Sequence, residues 1–252
     1  VATAPDPAPP VVLLVHGAWH GAWCWAALQA ELDRRDLASY AVDLPGHGAS
    51  TLPLGDLHAD ADLVADAIRS VGRDGGPVVL VGHSYGGAVV TAAAARAPRV
   101  AHLVYLAAFV PDAGESVMEL VARMPPAPSA LAAALVRRDD GSSTLVADLA
   151  TGALYGRCDP AVAAAAVRRL SPQPGITLQQ PPGAAPWRQI PSTYVRCTDD
   201  RAVPLEHQTW MSERCGRVDT LDADHSPFLS AVAGTADVLE RICDRIHDGA
   251  PA

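Results

Sequence analysis

Apolar and polar positions alternate between two regimes along this chain. Val11–Val15, Val78–Val81 and Val100–Ala108 are short, nearly unbroken apolar runs bounded by Pro or Gly. Such runs predict strands buried on both faces of a parallel sheet. Ser39–Val42 predicts a further strand, ending in Asp43-Leu44-Pro45-Gly46-His47-Gly48. Between them lie segments with helical spacing. Ala22–Arg35 is one. Asp56–Val71 is another, with Leu57, Leu63, Val64, Ala67 and Ile68 on one side. Gly75-Gly76-Pro77 breaks the pattern, and Tyr85–Ala97 predicts an Ala-rich helix stopped by Pro98.

The alternation stops at Pro111 and resumes at Ser192–Cys197 (strand), Leu205–Cys215 (helix), Arg217–Leu221 (strand) and Pro227–Ile246 (helix). Short loops and strand–helix order predict an α/β fold, a mainly parallel sheet of about six strands with helices on both faces. Residues 11–110 and 189–252 form this core, after a flexible Pro-rich tail over residues 1–10. Residues 111–188 are punctuated by Pro125, Pro126, Pro128, Pro172, Pro174, Pro181, Pro182 and Pro186. Leu120–Met124, Ala130–Arg138 and Ala161–Leu170 look helical there, so the insertion reads as a small helical cap.

Composition narrows the function. The chain has 252 residues, 49% hydrophobic and 19% charged, enough for a sizeable core. Nineteen basic against 28 acidic residues give a net charge of −9. That disfavours nucleic acid and anionic membranes as partners. No apolar stretch is long enough to span a bilayer, and the N-terminus lacks an apolar signal core, so a cytoplasmic protein is expected. Every basic residue is Arg, which removes lysine-based mechanisms. Cys24, Cys158, Cys197, Cys215 and Cys243 are odd in number and scattered, with no CxxC. Neither a disulfide framework nor a metal site is expected. A homodimer through the cap or the last helix is left open.

The chemistry centres on Gly82-His83-Ser84-Tyr85-Gly86-Gly87. A strand, then G-x-S-x-G, then a helix is a nucleophile elbow. Ser84 must sit on a strained turn with Oγ above the sheet. Gly82 and Gly86 are then pressed together, and Gly87 admits close helix packing. A serine needs a base, and the expected chain order is Ser, then Asp or Glu, then His. His225 stands between the last strand and the last helix, at the carboxyl end of a strand where open α/β sheets meet ligands. His207 and His247 read as solvated surface residues, and His102 lies inside a strand. Asp200 is the preferred acid, after the penultimate strand; Asp199 and then Asp112 are the alternatives. Donors for a developing oxyanion would be the N–H groups of Tyr85 and Ala18, the latter in the loop His16–Gly21.

Together these residues resemble the α/β-hydrolase superfamily over nearly the whole chain from Val11. The stretch from His16 to Trp25, with Gly82–Gly87 and Asp224-His225-Ser226-Pro227-Phe228-Leu229, resembles more narrowly the plant methylesterase, salicylate-binding and hydroxynitrile lyase group and its bacterial esterase relatives. The resemblance implies a Ser-His-Asp triad, a small helical cap, and small or medium ester substrates cleaved without a cofactor. The lyases of that group carry Thr after the first-strand His and Lys after the catalytic His. Here Gly17 and Ser226 stand there, leaving no cation for departing cyanide. Ser84 excludes the relatives with an Asp nucleophile. Trp19, His20, Phe109, Met118 and Trp187 are candidates to touch substrate. Each has a structural alternative: hydrogen bonding within the oxyanion loop for His20, cap core or sheet core for the others.

The expected activity is therefore a serine carboxylesterase acting on a small-molecule ester. It should weaken as pH falls through the imidazole range, because an imidazolium cannot be a base. The same pocket could also serve thioester or lactone cleavage, or cyclisation of a biosynthetic intermediate. A ligand-binding receptor role is a further alternative.

Overall fold

The computed structural model describes residues 8–72 and 76–249. Most of the expected tail, residues 1–7, and Gly75 of the expected break lie outside the described residues.

The main sheet has the order β2-β1-β3-β4-β8-β9. Its strands are β1 (Val11–Val15), β2 (Ser39–Val42), β3 (Val78–His83), β4 (Val100–Leu106), β8 (Ser192–Cys197) and β9 (Arg217–Leu221). All five pairings are parallel. The apolar runs are continuous because both faces are covered. Leu13, Val15, Val78, Leu80, Leu103 and Tyr105 pack on one face with α2 (Leu57–Val71) and α3 (Gly86–Ala94). Val12, Leu14, Val79, Val81, Val104 and Leu106 pack on the other with α1 (Ala26–Asp33) and α10 (Val232–His247). The first predicted helix begins as a 3-10 turn, Ala22–Trp25. The last is split, with a short α9 (Pro227–Ser230) before α10. α8 (Leu205–Ser212) connects β8 to β9.

Strand order reverses between β1 and β3. The loops leaving the carboxyl ends of these two strands splay apart, the place where open α/β sheets bind ligands. Both the His16–Gly21 loop and Ser84 emerge there.

The insertion departs from the all-helical expectation. It holds α4 (Val117–Arg123), α5 (Ala130–Ala134), α6 (Ala147–Leu154) and α7 (Pro160–Val167). It also holds a three-stranded sheet, β5 (Leu135–Arg137), β6 (Ser142–Leu145) and β7 (Gln173–Pro174). The helix predicted to Arg138 turns into β5, whose three residues are all exposed, so no burial pattern announces it. No helix among the described residues is long and apolar enough to cross a membrane.

The elbow glycines are set by steric contact. A Cβ on Gly82 would lie 2.5 Å from the Gly86 carbonyl oxygen, and one on Gly87 2.2 Å from that of Phe109. Both obstacles are backbone and cannot swing away. Gly82→Ala should therefore lower stability by about 1–3 kcal/mol or more. Chemical denaturation checks this, and an unchanged midpoint would show that the elbow is looser than these contacts imply.

Candidate active site

Ser84 follows β3 with φ of +53°, in the left-handed region. A non-glycine residue there is strained and persists only when its surroundings over-determine it. They do. Ser84 N–H donates to Leu106 O (3.3 Å), and Ser84 C=O accepts from Gly87 N–H (3.0 Å) and Phe109 N–H (3.1 Å). The side chain is 7% exposed.

The structure brings His225 and Asp200 together: Nδ1 and Oδ2 are 2.7 Å apart, and both side chains are buried. The remaining acceptor sites of Asp200 are filled by Ala202 N–H (2.8 Å) and Val203 N–H (2.9 Å) on Oδ1 and by Gln208 Nε2 (3.1 Å) on Oδ2. The two alternative acids are elsewhere. Asp199 is half-buried and faces Arg201 at 3.8 Å, and Asp112 pairs with Arg188. His225 is fastened to the elbow by its backbone. His83 Nε2–H donates to His225 O at 2.7 Å, and the two rings lie 4.6 Å apart.

The two candidate oxyanion amides share one design. Neither Ala18 N–H nor Tyr85 N–H donates to any protein acceptor among the described residues. Each belongs to a peptide unit whose carbonyl is held from behind. Leu44 N–H donates to His16 Nε2 (3.1 Å), which fixes the proton on Nδ1, and that proton goes to Gly17 O (2.8 Å). The Gly17–Ala18 peptide is thereby oriented. Phe109 and Gly87 do the same for the Ser84–Tyr85 peptide through Ser84 O.

His20 completes the loop. Its Nδ1–H donates to Ala18 O (2.8 Å), and its Nε2 accepts from the Tyr155 hydroxyl of the insertion (2.7 Å). Burial holds these imidazoles neutral: it pushes His16 down to about 3 and His20 to about 4, and it puts His83 well below the usual range.

The substrate-contact candidates fare unevenly. Trp19 is buried at φ +63° and moors the loop to the insertion, donating from Nε1 to Ser143 O (3.2 Å) and from its amide to Gln173 Oε1 (3.4 Å). His20 spends Nδ1 on the loop and Nε2 on Tyr155 of the insertion, so it takes the structural alternative. Phe109 contributes its backbone. Met118 is 51% exposed on α4. Trp187 is a correction. Its indole N–H donates to Pro111 O (3.0 Å), and Arg188 and Arg214 stack on its ring. It lines a hollow of about 220 Å³ with Ser192 and Gly216, where β8 and β9 begin, whereas Asp200 and His225 follow the ends of those strands. His207 is also buried, donating from Nε2 to Pro125 O (2.7 Å), and is not a solvated residue.

Sequence reasoning misses Gln208 and does not foresee the hydrogen bonds that Tyr155 and Asp224 make. Asp224 Oδ2 accepts from Arg157 N–H in the insertion (2.8 Å), and Oδ1 accepts from Ser226 N–H (2.9 Å). Tyr155 and Arg157 thus tie one loop of the insertion to the His16–Gly21 loop and to the loop that carries His225. Polar residues inside helices and loops read as solvated until packing is known, and only the Ser-His-Asp order carried a signal.

The profile of the Alpha/beta hydrolase family matches residues 12–238. An alpha/beta hydrolase of Aspergillus novofumigatus, nvfD, is 32% identical over 235 residues, covering 88% of this chain and 91% of its own. Methylesterase 7 of Arabidopsis thaliana is 29% identical, covering 92% of this chain and 96% of its own. A carbendazim hydrolyzing esterase of a Nocardioides species is 40% identical over 124 residues, half of its length. Among solved structures, a pyrethroid hydrolase from Sphingobium faniae superimposes with a TM-score of 0.81 at 24% identity, over 93% of this chain and 98% of that one, a likeness of fold. The match runs through both halves of the sheet and across the insertion between them: this chain belongs to the alpha/beta hydrolase family.

Proposed function

We propose that the protein is a serine carboxylesterase that cleaves a small or medium apolar ester through an acyl-enzyme. The observation that carries the reading is the buried 2.7 Å contact of His225 Nδ1 with Asp200, with the His225 carbonyl bonded at 2.7 Å to His83, the residue before a serine held at φ +53°. With Nδ1–H given to Asp200, Nε2 of His225 is the free base. It takes the Ser84 proton as Oγ attacks the ester carbonyl. The oxyanion is received by Ala18 N–H and Tyr85 N–H, which are prepaid in orientation by His16 and by Phe109. His225 then gives its proton to the departing alcohol. Water, deprotonated by the same Nε2, attacks the acyl carbon and returns Ser84 and a carboxylic acid.

Esterase names recur among the relatives, methylesterases and a carbendazim hydrolyzing esterase included. They support simple esters, methyl esters among them, as first substrates. The test is steady-state hydrolysis of p-nitrophenyl acyl esters from two to ten carbons and of aryl and alkyl methyl esters. Ser84→Ala is run in parallel. We expect turnover by the parent with a preference for short or medium acyl chains and loss of that turnover in the variant. Turnover that survives in Ser84→Ala sinks the assignment. Product mass separates the alternatives: hydrolysis adds one water, and cyclisation leaves the mass of the intermediate unchanged.

A further inference from the structure

Gln208 sits on α8, outside the machinery described above, and its side chain is fully buried. Its Oε1 accepts from Cys197 N–H at 2.8 Å. Its Nε2 faces three oxygens: Val203 O (2.8 Å), Asp200 Oδ2 (3.1 Å) and Cys197 O (3.2 Å). That arrangement permits only one orientation of the amide, because a reversed side chain would set its oxygen against three acceptors and its N–H₂ against a donor. One side chain therefore closes the loop between the end of β8 and α8 into a ring, with Asp200 inside it.

The oxygen that Gln208 holds is the oxygen that takes the His225 proton. Oδ1 is fixed separately by Ala202 and Val203 N–H. A carboxylate bound only through Oδ1 and His225 could rotate about its Cβ–Cγ bond, and Gln208 removes that freedom. Arg201, next in the chain, turns instead to Asp199. A burying amide can be spent here only if every donor and acceptor is matched, and here each is.

We propose that Gln208 is a positioning residue of the reaction: it locks Asp200 Oδ2 on His225 Nδ1, and so sets the direction and basicity of the imidazole. The inference rests on the serine carboxylesterase reading, since it assigns a role to Asp200 in that reaction. Two effects follow. Without Gln208 the Asp–His pair samples misaligned geometries, and a misplacement near 1 Å costs up to about 10²-fold in rate. Asp200 Oδ2 also loses the donor that shares it with His225, so the electrostatic partner of the imidazole changes and the pH profile of the reaction changes with it.

The experiment uses Gln208→Met, which keeps the length and removes the donors, and Gln208→Glu, which keeps the shape and replaces the amide by a carboxyl. Cys197 and Tyr194 beside Asp200, His83 and His20 beside His225, and Asp224 in the His225 loop are unchanged in both. Thermal unfolding establishes that each is folded. If Gln208→Met does not fold, Gln208→Glu supplies the same readings, because its carboxyl offers at most one donor where the amide has two and cannot hold Val203 O and Asp200 Oδ2 together. We expect kcat to fall by about 10-fold to 10²-fold with KM within about threefold. We expect the acid limb of kcat/KM to move by at least about half a pH unit relative to the parent. The downfield proton resonance of the Asp200–His225 hydrogen bond should shift or broaden in both variants and persist in Ser84→Ala. A folded variant with kcat within twofold, an unmoved acid limb and an unmoved resonance overturns the proposal. A loss of kcat with the limb and resonance unmoved does so as well, since it describes a scaffold role alone. Failure of the esterase reading is distinguishable, because turnover would then survive in Ser84→Ala.

Discussion

Ser84→Ala should lower kcat on any ester the parent hydrolyses by about 10⁶-fold while leaving KM nearly unchanged. Removing the nucleophile of a Ser-His-Asp site abolishes the covalent path and leaves only oxyanion binding and orientation, which retain a residual of about 10³–10⁴ over water. Alanine keeps the Cβ and the backbone strain at φ +53°, and every hydrogen bond that fixes the elbow is made by the main chain. The variant should therefore fold like the parent and bind substrate like the parent. Asp200→Asn should cost less, about 10⁴-fold. It keeps an acceptor or a donor for His225 but allows the amide to choose, so the imidazole loses its fixed tautomer. The order of the two effects is itself a check. Equal losses in both variants would mean that Asp200 holds the fold of the site and not the state of His225.

Mild acid should unfold this protein steeply. His16, His20 and His102 are pushed from the usual 6.5 down to about 3, 4 and 4 by burial, and His47 and His83 are lowered by the same cause. Each is neutral in the folded chain and binds a proton when the chain unfolds. The stability they contribute is complete above pH 6.5 and is lost as pH falls toward their folded values. Asp60 opposes them. Burial raises its carboxyl to about 7, although the Tyr85 hydroxyl donates to it at 2.6 Å. It holds a proton when folded and releases one on unfolding, so acidification from pH 7 toward 4 favours the folded state by that amount. Five imidazoles that take up protons on unfolding stand against one carboxyl that releases one, so the net uptake is positive and stability falls as pH drops below about 6.5. Denaturant titrations at pH 7.5, 6 and 5, with potentiometric proton counting on unfolding, check this. A stability that is flat across that range would show that these imidazoles are hydrated or protonated in the folded protein.

The legibility of the sequence followed burial. Strands β1, β2, β8 and β9 begin and end at the expected residues because they are flanked by Gly, Pro or polar turns. The elbow was readable because its steric demands are met only by glycine at positions 82, 86 and 87. Asp200 was preferred over Asp199 on position alone, and the structure turns Asp199 outward to Arg201. The insertion was hard to read for a physical reason. β5 is wholly exposed and β7 is two residues long, so neither leaves an alternating pattern. Trp187 looked like a pocket wall because a large aromatic near an insertion usually is. Two arginines and a backbone carbonyl hold it at the other end of the strands. Gln208 gives no signal, since a single polar residue on a helix has the appearance of a solvated one.

An acyl-enzyme on Ser84 can be seen directly. The parent protein is mixed with its best p-nitrophenyl ester, quenched in acid within the first turnovers, digested and analysed by mass spectrometry. One acyl group is expected on the peptide that contains Ser84, together with a burst of p-nitrophenol equal to the enzyme present, and neither in Ser84→Ala. Steady turnover with no acyl group on that peptide and no burst, when the variant is equally active, would contradict it.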